Sequence, residues 1–435
     1  MAKRQLFSSH AATILTMIGV SVGLGNVWRF PYMMGKYGGS AFLFIYLIFT
    51  LLFGIPAMMS EWVLGRKTRK GPIGAFTAVA GSFWGKVFGS VLLITVLVAD
   101  SYYIVVIANV IYTAYFSAVH GFNSGTMADF HAGLSNGYLQ YVIAVAILLA
   151  SLYVIHRGLN KGIETVSKLF VPFFGVIVIY LVLTAFSLEG APQQFATFLK
   201  PDFAAMHAKQ IFAALGQAFF SLGLGGTFLL IYGSYLKDDQ NIVASAVLTA
   251  LGDAGAALFA ALFIIPSILV FGLDMTVGPG LIFSTLPKLF ADMSGGRFLG
   301  SAFMVALFMV AFLSNIAALE VLAGGVNDGL KKPLSRSRII VMIGILEALL
   351  MFPSSVNPRL IGILDLVFGS GMQVLGSTLA VLGLTWGFSK SEILRELFGS
   401  EYRPRHSVFF FWIKWVVPGA LLFILISYIY NSISG

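Results

Sequence analysis

Two runs of glycine interrupt apolar segments about half-way along their length. The first holds Gly19, Gly23 and Gly25 and is followed by Arg29 and Pro31; the second holds Gly216, Gly223, Gly225 and Gly226. Glycine tolerates positive φ and weakens a helix interior. Such a cluster marks either local unwinding or a face where two helices pack closely. Ionisable residues share these apolar surroundings: Asp100, Asp253, Glu61, Glu320, Arg29 and Asp365. Charge inside a membrane segment is expensive enough to be read as functional by default. Arg29 and Asp365 both fall near one face, where an arginine–carboxylate pair would close a pathway; the alternative is two separately solvated interfacial charges. Glu61 and Glu320 fall toward the opposite side, where buried structural pairing is the stronger reading, and Asp328 and Arg4 reach that same face. The histidines, His10, His156, His207 and His406 among them, are scattered over segment ends and loops. No nucleophile, base and metal ligands converge as an enzyme would require, and no pore-lining polar stripe suggests a channel.

The elements that must hold these residues follow from composition. Hydrophobic residues are 58% of the 435-residue chain, charged residues 10%, and the mean hydropathy is +0.91. A soluble domain carries about 25% charged residues, so most of this surface cannot face water. The apolar runs are continuous rather than alternating, which points to transmembrane helices and not a barrel. The fold class is therefore an all-α integral membrane protein of about 11 spans in one domain. The spans fall near Ala11–Met34, Phe42–Leu64, Phe88–Val119, Tyr141–Ile155, Lys168–Phe186, Ile211–Leu236, Ile242–Phe271, Leu299–Val326, Ile339–Met351, Leu360–Phe388 and Phe409–Tyr430. Two polar stretches intervene, Glu189–Lys209 and Asp274–Gly296.

The formal net charge is +9, yet its placement argues against nucleic acid. Arg66, Lys67, Arg69 and Lys70, then Lys331, Lys332, Arg336 and Arg338, then Lys390, Arg395, Arg403 and Arg405 cluster in particular loops, while His120–Tyr138 has neither Lys nor Arg. That is the positive-inside pattern. With Lys3 and Arg4 cytoplasmic, an odd number of spans leaves Gly435 outside. The absence of cysteine excludes disulfides and thiolate metal sites.

Gly-interrupted segments at corresponding places in two halves point to a transporter site built by inverted repeats. The repeats would cover residues 11–186 and 211–388, with an extra helix at 409–430. The residues themselves resemble the neurotransmitter:sodium symporter family, in particular its prokaryotic amino-acid transporters. The match runs through Gly23-Leu24-Gly25-Asn26-Val27-Trp28-Arg29-Phe30-Pro31, Gly38-Gly39-Ser40-Ala41-Phe42, Gly54-Ile55-Pro56, Glu61-Trp62, Gly65-Arg66 and Tyr102-Tyr103. It resumes at Gly216-Gln217-Ala218-Phe219-Phe220-Ser221-Leu222 and Tyr232-Gly233-Ser234-Tyr235. Spans one and six would then be broken at a midplane site, an architecture for which this family is the standing example.

The resemblance implies roles. Backbone N–H groups freed at Gly23 and Gly25 would hold a substrate carboxylate, with the Tyr103 hydroxyl completing the cradle and Phe220 lying over the substrate as a lid. Amine carriers of the family have an aspartate where this chain has Gly23, so a zwitterionic amino acid is implied. Ser21, Ala99, Phe220, Gly223, Gly226, Ser314 and Ala318 would line a roomy pocket, suited to large hydrophobic or aromatic side chains. A first Na⁺ would take Ser21, Asn26, Ser221 and Asp253; a one-residue slip would put Gly252 in the last place. Asp253 would also supply the negative charge that chloride-dependent members draw from an anion beside Tyr46, Gln217 and Ser221, so no chloride requirement is expected. A second Na⁺ would take Gly19, Val22, Val310 and Ser314. Its hydroxyl pair falls on Leu313 and Ser314, with one ligand missing, or, shifted by one, on Ser314 and Asn315.

Arg29 and Asp365 would be the outer gate, and Arg4, Tyr235 and Asp328 the inner one, with Phe7 where the family usually has tryptophan. The implied protein is a Na⁺-coupled symporter of a neutral amino acid in a prokaryotic cytoplasmic membrane, using one or two Na⁺. A carrier coupled to H⁺ through Asp253, a Na⁺-independent carrier of the same fold and a non-transporting amino-acid sensor are the alternatives.

Overall fold

A bilayer interior offers no water to a bare backbone, so these segments must close their hydrogen bonds internally. Every regular element among the described residues is helical. The computed structural model describes residues 5–204, 206–276, 278, 280–330, 332, 334–399 and 403–434. Lys3, Arg4, Lys331 and Gly435, which carry expectations of topology and inner closure, lie outside them.

In chain order the principal elements are α1 (His10–Ser21), α2 (Gly25–Lys36), α3 (Ser40–Thr68), α4 (Ser82–Val119), α5 (Gly137–His156) and α6 (Leu159–Phe186). There follow α7 (Ala208–Ser221), α8 (Phe228–Gly233), α9 (Ile242–Val270), α10 (Gly296–Gly329), α11 (Arg336–Val356), α12 (Arg359–Gly387), α13 (Lys390–Phe398) and α14 (His406–Ser427). Helices α4 and α6 start earlier than the apolar runs at Phe88 and Lys168, because the helices continue past the apolar length into polar turns.

Among the described residues, nine helices are long and apolar enough to cross a membrane, ten if α1 and α2 form one bent span. The expected sixth span escapes that count because its pieces, α7 and α8, are 14 and 6 residues long.

Helix α10 lies along α4, and α1 nests among α6, α9 and α10. Burial separates inner from outer helices: 72% of the apolar window of α10 is enclosed, against 22% for α6. The second span, α3, shows how a local sequence signal recruits a distant partner. Pro56 has no N–H for the Leu52 carbonyl four residues earlier, and the helix widens over Thr50–Gly54. The Trp412 indole N–H, 360 residues away, donates to that carbonyl at 2.6 Å and holds α14 against α3. Trp412→Phe removes the donor and keeps a ring. Loss of one such bond costs about 1 kcal/mol, so a lowered thermal midpoint of the detergent-purified protein is the expected outcome.

At the end carrying the basic loops, the chain before α1 is strapped down. The Glu164 carboxylate accepts from the Ser8 N–H and the Asn160 amide, both at 2.8 Å, and from Lys168 at 3.0 Å. The Phe7 ring is 1% exposed, between Tyr232 and Tyr235, and its N–H donates to the Tyr235 carbonyl at 3.1 Å. Phenylalanine thus fills its place there. Arg66 is as much a structural residue as a topological charge: it reaches the Glu396 carboxylate at 2.7 Å, the Glu396 carbonyl at 2.6 Å and the Gln240 carbonyl at 2.7 Å. Beside it, α13 opens on a capping box in which the Ser389 hydroxyl and N–H, with Lys67, hold the Glu392 carboxyl down at about 2.

Candidate functional site

Helix α1 stops at Ser21, and Val22 turns extended with ψ of 120°. Helix α2 resumes at Gly25, bent 61° from α1. Asn26 stitches the gap, its side-chain oxygen accepting from the Gly23 N–H at 3.1 Å while its own N–H donates to the Gly23 carbonyl at 3.2 Å. The Leu24 N–H approaches the Tyr103 hydroxyl at 3.5 Å. Of the two readings of this glycine cluster, unwinding is the one found. Gly25 is needed for close approach: a Cβ there would stand 2.4 Å from the Phe220 ring.

The second break separates α7 from α8. Gly223 and Gly226 adopt φ of 65° and 66°, values L-residues rarely sustain. The Glu61 carboxylate, buried on α3, accepts from the Gly225 N–H at 3.1 Å. Glu61 was expected in a structural pair; its partner is the broken backbone, which has lost its helical acceptor. Nothing in the pattern around Glu61 announces that contact.

The breaks meet at Asp253. Its carboxylate, 0% exposed, accepts from the Asn26 amide at 2.7 Å and from the Ser221 hydroxyl at 2.6 Å. Asn26 also donates to Ser221 at 3.0 Å, and the Tyr46 hydroxyl donates to Ser221 at 3.4 Å. Ser21 reaches the Leu222 carbonyl at 3.5 Å. The neighbouring Gly252 faces Ile18 instead, 2.4 Å from where its Cβ would be. Asn26, Ser221 and Asp253 thus meet in one buried acidic cluster, with Ser21 beside it at Leu222; Asn26 turns its N–H to the cluster and keeps its oxygen on the Gly23 N–H. Gln217 is buried one helical turn before Ser221, and neither polar atom of its side chain has a hydrogen-bond partner among the described residues.

The second expected ion site lies across α1. Ser314 on α10 points its hydroxyl at the Val22 and Val310 carbonyls, 3.3 Å from each. Leu313 presses on Gly19, its methyl 2.8 Å from a Cβ built there. Asn315 points elsewhere, donating to Asp100. The two residues beside α1 are therefore Leu313 and Ser314.

Ala99, Tyr103, Phe220, Gly223 and Ser314 are only half-buried although they lie deep in the bundle, so they border internal space. A Cβ on Gly223 meets nothing within 4 Å. Gly226 and Ala318 are enclosed; the Cβ side of Gly226 abuts the Gly376 carbonyl of α12 at 2.4 Å. Above this space the Arg29 guanidinium sits 4.1 Å from the centre of the Phe220 ring, a cation–π contact. Asp365 accepts from the Tyr102 hydroxyl at 3.0 Å. On the opposite side, Tyr235 donates to Glu320 at 2.6 Å, Glu320 pairs with Arg336, and Asp328 accepts from the Gly71 N–H.

Three comparisons bear on this arrangement. The family model described as the sodium:neurotransmitter symporter family matches residues 4–121 and 113–434. An uncharacterized sodium-dependent transporter of Haemophilus influenzae is 28% identical over 455 residues, 98% of each chain. Another, of Methanocaldococcus jannaschii, is 30% identical over 417 residues, 90% of this chain and 83% of its own. Among solved structures, that of MhsT in complex with L-phenylalanine superposes with a TM-score of 0.87 at 29% identity, covering 98% of this chain and all of the other.

Proposed function

The chain belongs to the sodium:neurotransmitter symporter family, and from that premise we propose that it carries a neutral amino acid, large and hydrophobic or aromatic, together with Na⁺ by alternating access. Membership makes it a membrane transporter rather than an enzyme, and its relatives are sodium-dependent. The observation that carries the proposal is the junction of Asn26, Ser221 and Asp253, which ties both broken spans to one buried carboxylate. A cation there would touch both breaks at once, so its binding would order the substrate cradle. The Gly23 N–H, expected in the cradle, is already held by the Asn26 oxygen, so a substrate carboxylate would take the N–H groups at Leu24 and Gly25 and the Tyr103 hydroxyl. The open space beside Gly223 would take a bulky side chain, and the neighbour solved with L-phenylalanine favours an aromatic one.

The two breaks would be corresponding points of an inverted repeat, residues 11–186 and 211–388, in a prokaryotic cytoplasmic membrane with the N-terminus inside. Asp253 would stand in for chloride. Arg29 and Asp365 would close the outside, and Tyr235 and Asp328, with Arg4, the inside.

The test is uptake into proteoliposomes of labelled tryptophan, phenylalanine, tyrosine and leucine under imposed Na⁺ or H⁺ gradients. Concentrative uptake driven by Na⁺ is expected; none with either ion sinks the proposal. A second Na⁺ at Gly19, Val22, Val310 and Ser314 would lack one oxygen ligand because of Leu313. Leu313→Thr supplies it, and a hydrogen-bond-sized gain of about 1 kcal/mol should tighten apparent Na⁺ affinity roughly fivefold. Unchanged Na⁺ affinity in that variant would count against a cation at this position.

A further inference from the structure

Behind the substrate space, on the far side of α4 and α10, lies a polar cluster with no part in the site just described. Asp100 of α4, Asn315 of α10, Ser151 of α5 and Glu347 of α11 are 2%, 0%, 0% and 0% exposed. The Asn315 amide donates to Asp100 Oδ1 at 2.9 Å and Oδ2 at 3.0 Å, and Ser151 donates to the Asn315 oxygen. Glu347 lies on the enclosed face of α11 with Ile340, Ile343, Gly344 and Met351, and α11 packs on α4 and α5. Both of its carboxyl oxygens are buried without a hydrogen-bond partner, and the helix against which α11 packs, α4, carries the buried Asp100.

Two carboxylates buried on packed helices, one of them without a single hydrogen-bond donor, cannot both stay ionised in a low-dielectric interior. Nor does any Lys, Arg or His form an ion pair with either among the described residues. One positive charge must therefore be held between them. A metal ion would need a shell of ligands, and no group of three or more acidic or histidine side chains gathers here among the described residues. A proton needs no shell. Asp100 has two donor contacts to support a negative charge and Glu347 has none, so the proton resides on Glu347.

We propose that Glu347 and Asp100 form a single-proton site inside the bundle, separate from the amino-acid and sodium positions. The other titratable groups around it are Tyr102 and Tyr103 on the helix of Asp100, and Tyr141 of α5, which donates to the Ala348 carbonyl on α11. Asp365 of α12 is engaged with Tyr102, and Glu320 of α10 with Tyr235 and Arg336. The site stands back to back with the transport machinery: Asp100 follows Ala99, and Asn315 follows Ser314. Loss of the proton sets two negative charges against each other across the α4–α11 contact, so alkaline pH loosens that contact.

The experiment requires no knowledge of the substrate. Infrared spectra of the purified protein at neutral pH are expected to show a deuterium-sensitive band of protonated carboxyl that is diminished in Glu347→Gln. The thermal midpoint of the wild-type protein should fall more steeply toward alkaline pH than that of Glu347→Gln, because the folded state holds a proton that the unfolded chain releases. In Asp100→Asn the band should persist but titrate away at lower pH, since the facing charge is gone. An undiminished band in Glu347→Gln overturns the proposal, as does a band in Asp100→Asn that titrates where the wild-type band does. If Glu347→Gln does not fold, Asp100→Asn decides alone.

Discussion

Replacing Asp253 by asparagine is expected to make uptake depend on chloride. The side chain keeps its shape, and its oxygen can still accept from Ser221 or Asn26, but the fixed negative charge beside the expected cation disappears. At about 5 Å and an effective dielectric of about 20, a unit charge is worth about 3 kcal/mol to a neighbouring cation, or about 100-fold in Na⁺ affinity. Without chloride the variant should therefore need roughly 100-fold more Na⁺ for half-maximal uptake. With chloride an anion can settle near Tyr46, Ser221 and the unpartnered Gln217 amide, and most of the affinity should return. Uptake titrated against Na⁺ in chloride and in gluconate reads this directly. Equal curves in the two anions would mean that Asp253 does not do the work of an anion.

Gly23→Asp is expected to abolish amino-acid uptake and open the site to amines. A Cβ at Gly23 would stand 3.0 Å from the Ser314 hydroxyl and 3.3 Å from the Tyr103 hydroxyl, so an aspartate there delivers its carboxylate into the proposed cradle. A substrate carboxylate would then meet a like charge in a dry site, a penalty of several kcal/mol. Uptake of phenylalanine should fall by at least about 100-fold. Phenethylamine, the same molecule without its carboxylate, should instead bind. Its displacement by Na⁺ removal, and a Na⁺-induced rise in thermal midpoint, would show that the variant is folded. Phenylalanine uptake that survives in this variant would move the cradle elsewhere.

How much of this could be read in advance depended on depth and direction. Hydropathy gives a residue's depth along a span, and the glycines at Gly23 and Gly226 signalled unwinding because few other residues allow it. The same reading gave Arg29, Asp253 and Asp365 their levels. Direction around a helix axis is another matter. The choice between Asp253 and Gly252, or between the pair Leu313 and Ser314 and the pair Ser314 and Asn315, is a rotation of about 100°, and only packing fixes it: Ile18 fills one side of α9, and Asp100 draws Asn315 away from α1. Contacts between distant parts of the chain were illegible for the same reason. Glu61 read as a member of a buried structural pair and holds a backbone N–H, while Trp412, which holds a carbonyl, and Glu347 passed unnoticed inside apolar runs. The sixth span was legible as a break, but its short second half, six residues of α8, leaves it below the length that defines a crossing.

The strap before α1 has a mechanical consequence. It is fastened at two points of unequal strength: the Ser8 N–H and hydroxyl both donate to Glu164 of α6, and the Leu159 N–H and Asn160 amide of α6 hold Gln5 and the Leu6 carbonyl, whereas a single backbone bond to Tyr235 and ring contacts with Tyr232 and Tyr235 hold Phe7. Under thermal load the weaker fastening parts first, so the segment should swing with α6 while it leaves α8. The amide of Phe7 then becomes a clock for that motion. It should exchange its hydrogen with water far sooner than the amide of Ser8, one residue away, whose acceptor travels with it.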